Sequence, residues 1–139
     1  RPGQLDYASS GLLLLTNDGE LAFRLMHPKF GIAKRYKARV EGLVTDEKIK
    51  HLEKGIVLEE GKTAPCKIEV EATLAASKKE LPQTILYVTL HEGKKRQIRR
   101  IMDTLGYTVI KLHRFRIGKL LLGDLPVGKH QEIKKEEII

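Results

Sequence analysis

Three side chains that lie far apart in this sequence are candidates to do chemistry together: Asp6, Tyr36 and Arg99. Asp6 precedes a small-residue segment and the apolar run Leu12–Leu15, so it is held near apolar surroundings, where burial would raise its pKa unless a cation compensates. An ionised carboxylate in such a place can act as a nucleophile or as a base. From the residues alone, a turn or cap role for Asp6 and a core role for Tyr36 remain open.

The segment from Glu92 to Gly106 is predicted to be the helix that carries Arg99. Its apolar side chains form one stripe, which Gly106 ends; they are Ile98, Ile101, Met102 and Leu105. Arg99 falls at the border of that stripe, where an arginine can reach inward to pair with a buried acid while its stem stays packed. The other cations of the segment form either a solvated helix face or a surface that binds RNA phosphates; they are Lys94, Lys95, Arg96 and Arg100.

Residues 33–42 are predicted to form the strand that carries Tyr36. Alternation puts Tyr36, Ala38 and Val40 on one face and Arg35, Lys37 and Arg39 on the other. Together with Lys34, the three cations are expected to form a basic outer stripe.

The remaining patterns predict an α+β domain of period-2 strands and short helices. Leu12–Leu15 suits a strand buried on both faces, and Asn17 with Glu20 suits the cap of a helix that starts near Gly19 and ends by Pro28. The other expected elements are a helix over 45–55, strands over 65–75 and 84–91, one or two strands within 107–118, and a charged helical tail over 129–139.

Net charge and residue composition narrow the classes of protein to consider. The net charge of +8 favours a polyanionic partner, nucleic acid first and an acidic membrane surface second. The single cysteine, Cys66, excludes an internal disulfide and fits a reducing compartment, and no apolar run approaches the length of a membrane span. The histidines and acids show no metal-ligand spacing. We therefore expect one cytoplasmic domain, monomeric, without metal or cofactor.

Four stretches resemble the RsuA-type ribosomal RNA pseudouridine synthases. Residues 3–22 read Gly-x-Leu-Asp-x-x-Ser-Ser-Gly-Leu-Leu-Leu-Leu-Thr-Asn-Asp-Gly-Glu-Leu-Ala, which is similar to the catalytic signature of that family. The Lys-x-Tyr segment at 34–36, Glu-Gly-Lys-Lys-Arg-Gln-Ile-Arg-Arg at 92–100 and Leu-His-Arg-Phe-Arg-Ile-Gly at 112–118 resemble it as well.

The resemblance implies a pseudouridine synthase fold: a mixed, largely antiparallel sheet flanked by short helices, with a central active-site cleft. It implies that Asp6 is the catalytic carboxylate, that Arg99 is its ionic partner and that Tyr36 stacks on the target uracil. The family usually has arginine where this chain has Gln4, and that arginine is implied to help displace the base. The expected RNA contacts are Gln4, Lys34, Arg35, Lys37, Lys94, Lys95, Arg96, Arg100, Arg114 and Arg116.

The implied reaction is the isomerisation of a specific uridine in ribosomal RNA, with the large-subunit RNA favoured over the small. Relatives usually carry an S4 RNA-binding domain upstream, and this chain begins with Arg1, so we expect it to be the catalytic part of a longer protein. The competing interpretation is a non-catalytic RNA-binding module that acts in ribosome assembly.

Overall fold

A six-stranded sheet forms the centre of the computed structural model, which describes residues 9–74, 80–94 and 96–139. The strands run in the order β1, β7, β2, β6, β5, with β8 paired to β7. Only β1 and β7 pair in parallel, so the expectation of a mixed, largely antiparallel sheet is confirmed. The sheet strands are β1 (Ser10–Gly11), β2 (Lys34–Glu41), β5 (Lys67–Leu74), β6 (Gln83–Leu90), β7 (Thr108–Ile117) and β8 (Leu120–Leu121), and β3 (Val57–Leu58) and β4 (Gly61–Lys62) form a separate hairpin.

Within the described residues, three α-helices flank the sheet, and all three were expected from the sequence. They are α1 (Gly19–Met26), α2 (Asp46–Glu53) and α3 (Gln97–Thr104). The side chain of Asp18, and not that of Asn17 as predicted, caps α1 by accepting a hydrogen bond from the Leu21 amide. Thr45 caps α2 as predicted.

The main core lies between one face of the sheet, which we call the inner face, and helices α2 and α3. Alternate residues of β6 point into it as predicted, with Leu86 and Val88 fully buried. The predicted apolar stripe of α3 packs there too, because Ile98, Ile101 and Met102 are each at most 2% exposed. This packing fixes the position of α3 against β7.

A second apolar cluster corrects the interpretation of Leu12–Leu15 as a strand buried on both faces. Only Ser10–Gly11 pairs with β7; beyond it, Leu12 and Leu14 are buried whereas Leu13 and Leu15 are exposed. Gly11 explains the close junction, because a Cβ there would lie 2.1 Å from the Arg114 carbonyl oxygen. Only one side of the Leu12–Leu15 segment therefore packs against the protein, at the end of β7.

The carboxyl-terminal tail belongs to the same cluster and is not the predicted helix over 129–139. Its one regular element is a 3-10 turn at Lys135–Glu137. Ile138 is buried beside Leu12 and Leu25, and its carbonyl accepts a hydrogen bond from the Lys119 amide. Apolar packing of Ile138, with Ile133 and Ile139 beside it, and backbone hydrogen bonds, rather than helix formation, hold the tail in place.

Candidate active site

Three of the predicted site residues, Asp6, Gln4 and Lys95, lie outside the described residues. The expectations for them remain predictions. The positions of the others can be given, starting with Ser9, three residues after Asp6.

Arg99 bridges helix α3 to the amino-terminal segment. Its Nη1 donates a hydrogen bond to the Val109 carbonyl over 3.3 Å, and its Nη2 reaches Ser9 Oγ at 3.5 Å. The side chain is partly buried, as expected for an arginine at the border of the apolar stripe. A guanidinium from a distant helix thus lies beside the segment that leads from Asp6.

The amino-terminal segment is held against β7 by further polar contacts. Ser10 Oγ and His113 Nδ1 lie 2.8 Å apart, and the Leu12 amide donates to the Arg114 carbonyl over 2.8 Å. In return, Arg114 donates from Nε and Nη2 to the Leu12 carbonyl oxygen, over 3.0 and 2.7 Å. Residues 9–12 therefore have a defined place at the edge of the sheet.

Tyr36 lies on the inner face of β2, partly buried against the main core. Its neighbours across the sheet are Val88 on β6 and Arg114 on β7. Directly opposed residues in antiparallel pairs share a face, so Arg114 lies on the same side of the sheet as the tyrosine ring.

The turn before α3 is organised by a buried acid that the sequence interpretation missed. Glu92 is 8% exposed; its carboxylate accepts hydrogen bonds from the Ala64 amide and from Gln97 Nε2. Gln97 Oε1 in turn accepts from the Lys94 amide, and Arg96 adopts a left-handed conformation with φ of 50°. These contacts set where α3 begins and so where Arg99 points.

Two of the predicted RNA contacts are buried, which corrects the expectation that they present their charge on the outer surface. Lys34 is 5% exposed and Arg114 is 2% exposed. Alternation places Lys34 on the inner face with Tyr36, Ala38 and Val40, and not in the outer stripe.

The outer face of the sheet carries the accessible cations. Arg35 lies over the rings of Tyr87 and Phe115, at 5.8 and 5.4 Å, and Lys37 forms an ion pair with Glu71 at 3.3 Å. Arg116 is partly buried and donates to the Gly118 carbonyl. This face is basic with interleaved aromatic rings, as nucleic-acid-binding surfaces often are.

A second basic surface surrounds the exposed side of α3. A pocket of about 320 Å³ there is lined by Arg96, Arg99, Arg100, Asp103, Tyr107, Thr108 and Val109. Arg96 is exposed, and Lys94 lies near Glu92. Arg100 forms two charge-assisted hydrogen bonds with Glu60 in the turn between β3 and β4, which lower the pKa of Glu60 to about 2.

Other chemistry finds little support in the part of the chain that the structure describes. No group of three metal-ligating side chains occurs there. No described helix has the length and apolarity needed to cross a membrane. Burial raises the pKa of the Cys66 thiol to about 11, with help from Glu53 and Glu92, so this cysteine is a poor nucleophile.

Comparisons with known proteins identify the family and the fold. A sequence model of the RNA pseudouridylate synthase family matches residues 2–104. The chain is 48% identical over 136 residues to ribosomal large subunit pseudouridine synthase B of Bacillus subtilis, covering 98% of this chain and 54% of that protein. It is 36% identical over 140 residues to ribosomal large subunit pseudouridine synthase E of Vibrio parahaemolyticus, covering 95% and 59%.

A solved structure shows the same fold. A crystal structure of a pseudouridylate synthase superposes with a TM-score of 0.81 at 30% identity, covering 99% of this chain and 56% of that one. Judged by the coverage of the two curated relatives, the chain spans about half the length of the proteins it matches.

Proposed function

We propose that this chain, which belongs to the RNA pseudouridylate synthase family, isomerises uridine to pseudouridine in the RNA of the large ribosomal subunit. The names of the most similar relatives support that substrate. The structural observation that carries the proposal is the contact of Arg99 with Ser9, because it brings the guanidinium on α3 to the segment that follows Asp6.

The reaction needs one carboxylate from the protein and no outside reactant. The bond between uracil N1 and ribose C1′ breaks, the uracil turns, and a new bond forms between C5 and C1′, after which C5 loses its proton. Asp6 would either attack C1′ or abstract a ribose proton, and both roles require the ionised carboxylate. Arg99 would stabilise that ionised form by its positive charge.

Tyr36 would hold the target base. The reacting atoms of a uridine are inaccessible inside a helix, so the nucleotide must leave its stack. An aromatic ring replaces part of the lost stacking, a contribution of about 1–3 kcal/mol per base. The position of Tyr36 on the inner face, partly buried beside Arg114, suits such a platform.

The exposed cations would hold the flanking RNA backbone by contacts that do not depend on sequence. Those predicted from the sequence and accessible in the structure are Arg35, Lys37, Lys94, Arg96, Arg100 and Arg116. We further propose that the chain acts in the cytoplasm as a monomer and needs no cofactor.

The test is release of tritium from large-subunit ribosomal RNA labelled at uridine C5, since C5 loses its hydrogen in the reaction. We expect release by the wild-type chain and none above background by Asp6→Asn. Asp124→Asn is the matched control, because Asp124 lies exposed in a turn, and it should release tritium at the wild-type rate. RNA binding without release by the full-length protein would favour the non-catalytic module instead.

A further inference from the structure

Lys34 is a buried cation on the inner face of the sheet. Its cross-strand neighbours are apolar, Leu90 on β6 and Ile117 on β7, and the residue is 5% exposed. Within residues 9–74, 80–94 and 96–139, no hydrogen bond or ion pair engages its ammonium group. Lys34 Nζ is not among the fully buried side-chain atoms that lack a hydrogen-bond partner, so the stem is buried while the ammonium group keeps some access. A charge in such partly desolvated surroundings is still costly to a folded protein, so this lysine calls for an explanation.

A second cation increases that cost. Arg114 is 2% exposed on the same inner face, opposite Tyr36, and donates to the Leu12 carbonyl oxygen. Burial first, and then the charge of Arg114, lower the pKa of Lys34 below its ordinary value. Two like charges on one buried face destabilise each other unless an anion joins them.

The position of the ammonium group links it to the proposed site. Lys34 and Tyr36 are two residues apart on β2 and therefore share a face. Lys34 Nζ lies 3.9 Å from the place that a Cβ on Gly93 would occupy, in the turn that Glu92 and Gln97 organise ahead of α3. The charge is thus located between the tyrosine platform and the turn that leads to Arg99.

We propose that Lys34 binds an anionic oxygen of the target nucleotide, inside the site and next to the base on Tyr36, rather than the outer RNA backbone. This inference rests on the proposed function. Two groups of the target nucleotide could supply this negatively charged oxygen. A phosphodiester oxygen is charged before reaction, whereas a uracil carbonyl oxygen gains charge when the electron pair of the broken glycosidic bond moves onto the base.

The experiment compares Lys34→Met with Lys50→Met, a control that removes the same charge from an exposed position on α2, outside the proposed site. Three quantities are measured for each variant and the wild-type chain: the urea midpoint of unfolding, the Kd for C5-tritiated large-subunit ribosomal RNA by filter binding, and the single-turnover rate of tritium release at saturating protein. Methionine keeps the length of the lysine stem and removes the charge.

We expect Lys34→Met to unfold at a higher urea concentration than the wild-type chain and yet to lose function by about tenfold to hundredfold. If the anion is a phosphate, the loss is in the Kd, with a weaker salt dependence, and the rate at saturation is kept. If it is a uracil oxygen, the Kd is kept and the rate falls. Lys50→Met should leave both the Kd and the saturated rate unchanged.

Two results would overturn the inference. One is Lys34→Met with the wild-type Kd and rate. The other is a variant that unfolds more easily than the wild-type chain and loses activity only in proportion to its unfolded fraction, because that would make Lys34 structural. Absence of tritium release from the wild-type chain would refute the proposed function instead. In that case the role of Lys34 is judged from RNA binding alone, and a Kd of Lys34→Met equal to that of the wild-type chain rejects it.

Discussion

Lys34 and Lys37 lie on the same strand but on opposite faces of the sheet, and their surroundings differ accordingly. Lys37 is exposed and paired with Glu71, and its neighbour Arg35 covers two aromatic rings. Lys34 lies against Leu90 and Ile117 and is nearly inaccessible. An exposed cation costs a fold almost nothing, whereas a buried one has to be compensated.

This difference separates two kinds of basic residue in one chain. The outer cations fit sequence-independent attraction to a phosphate backbone, where any one of them contributes modestly. We propose that the inner cations and Arg99 act instead on a single nucleotide. Substitutions on the inner side should therefore change the reaction or the fold, and substitutions on the outer side should change affinity and its salt dependence.

The sharpest test of the inner group is Arg99→Leu. We expect tritium release to fall by about 100-fold or more, the range typical when a charge-stabilising group is lost from an active site. Stability should fall as well, by about 1–3 kcal/mol, because the Val109 carbonyl and Ser9 lose their donor. Urea unfolding measures the second effect. Arg24→Leu, which removes the same charge from the last turn of α1, is the control. Full activity of Arg99→Leu would refute the pairing with Asp6.

Arg114→Leu should have the next largest effect, chiefly on folding. The Leu12 carbonyl would lose two donors from a charged group in a buried place, which costs about 2–4 kcal/mol. Urea or thermal unfolding measures this cost. Arg116→Leu is the control on the same strand, since Arg116 contacts only a turn carbonyl, that of Gly118, among the bonds described for it. Equal stabilities of the two variants would contradict the positioning role of Arg114.

The pH dependence of Lys34→Met offers a test that needs no RNA. Because burial lowers the pKa of Lys34 in the folded chain, the native state releases this proton at a lower pH than the unfolded state does. The wild-type penalty is therefore largest below the folded pKa and shrinks as the pH rises through that pKa toward the unfolded value of 10.5. The stability advantage of the variant should narrow over the same alkaline range, as the pH approaches 10.5. An advantage that stays constant would contradict the buried charge.

Much of the architecture follows from local pattern. The period-2 alternation of β2 and β6, the apolar stripe of α3 and the Thr45 cap each specify an element from residues that lie close together in sequence. The register that sets Arg114 opposite Tyr36 is different, because it depends on strand pairing over long separations and on a bulge between Arg35 and Tyr36. Sequence patterns do not contain that information.

Lys34 illustrates an error of another kind. Alternation already assigned it to the face of Tyr36 and Ala38, but its charge suggested grouping it with Arg35 and Lys37. The continuous apolar run Leu12–Leu15 led to a different error. It predicted burial on both faces, but only Leu12 and Leu14 are buried, against the second apolar cluster. In both cases residue type was given more weight than position along the strand.

On the outer side, Glu60→Gln should strengthen RNA binding. Glu60 engages Arg100 with both carboxylate oxygens and so competes with a phosphate for it. Releasing Arg100 for one phosphate contact should steepen the slope of log Kd against log salt by about 0.7, the value for single-stranded nucleic acid. Glu59→Gln removes the same charge one residue away and is the control. Equal slopes for both variants would show that the ion pair does not compete with RNA.

Lys37→Ala is expected to have the smallest effect. Its partner Glu71 keeps a hydrogen bond from Tyr87, and both members of the ion pair are well exposed, so stability should change by less than about 1 kcal/mol. One phosphate contact fewer should reduce the salt slope by about 0.7 and weaken binding equally for RNAs of different sequence. Filter binding at several salt concentrations measures this. A loss confined to one RNA sequence would place Lys37 with the inner cations, and the distinction between the two faces would fail.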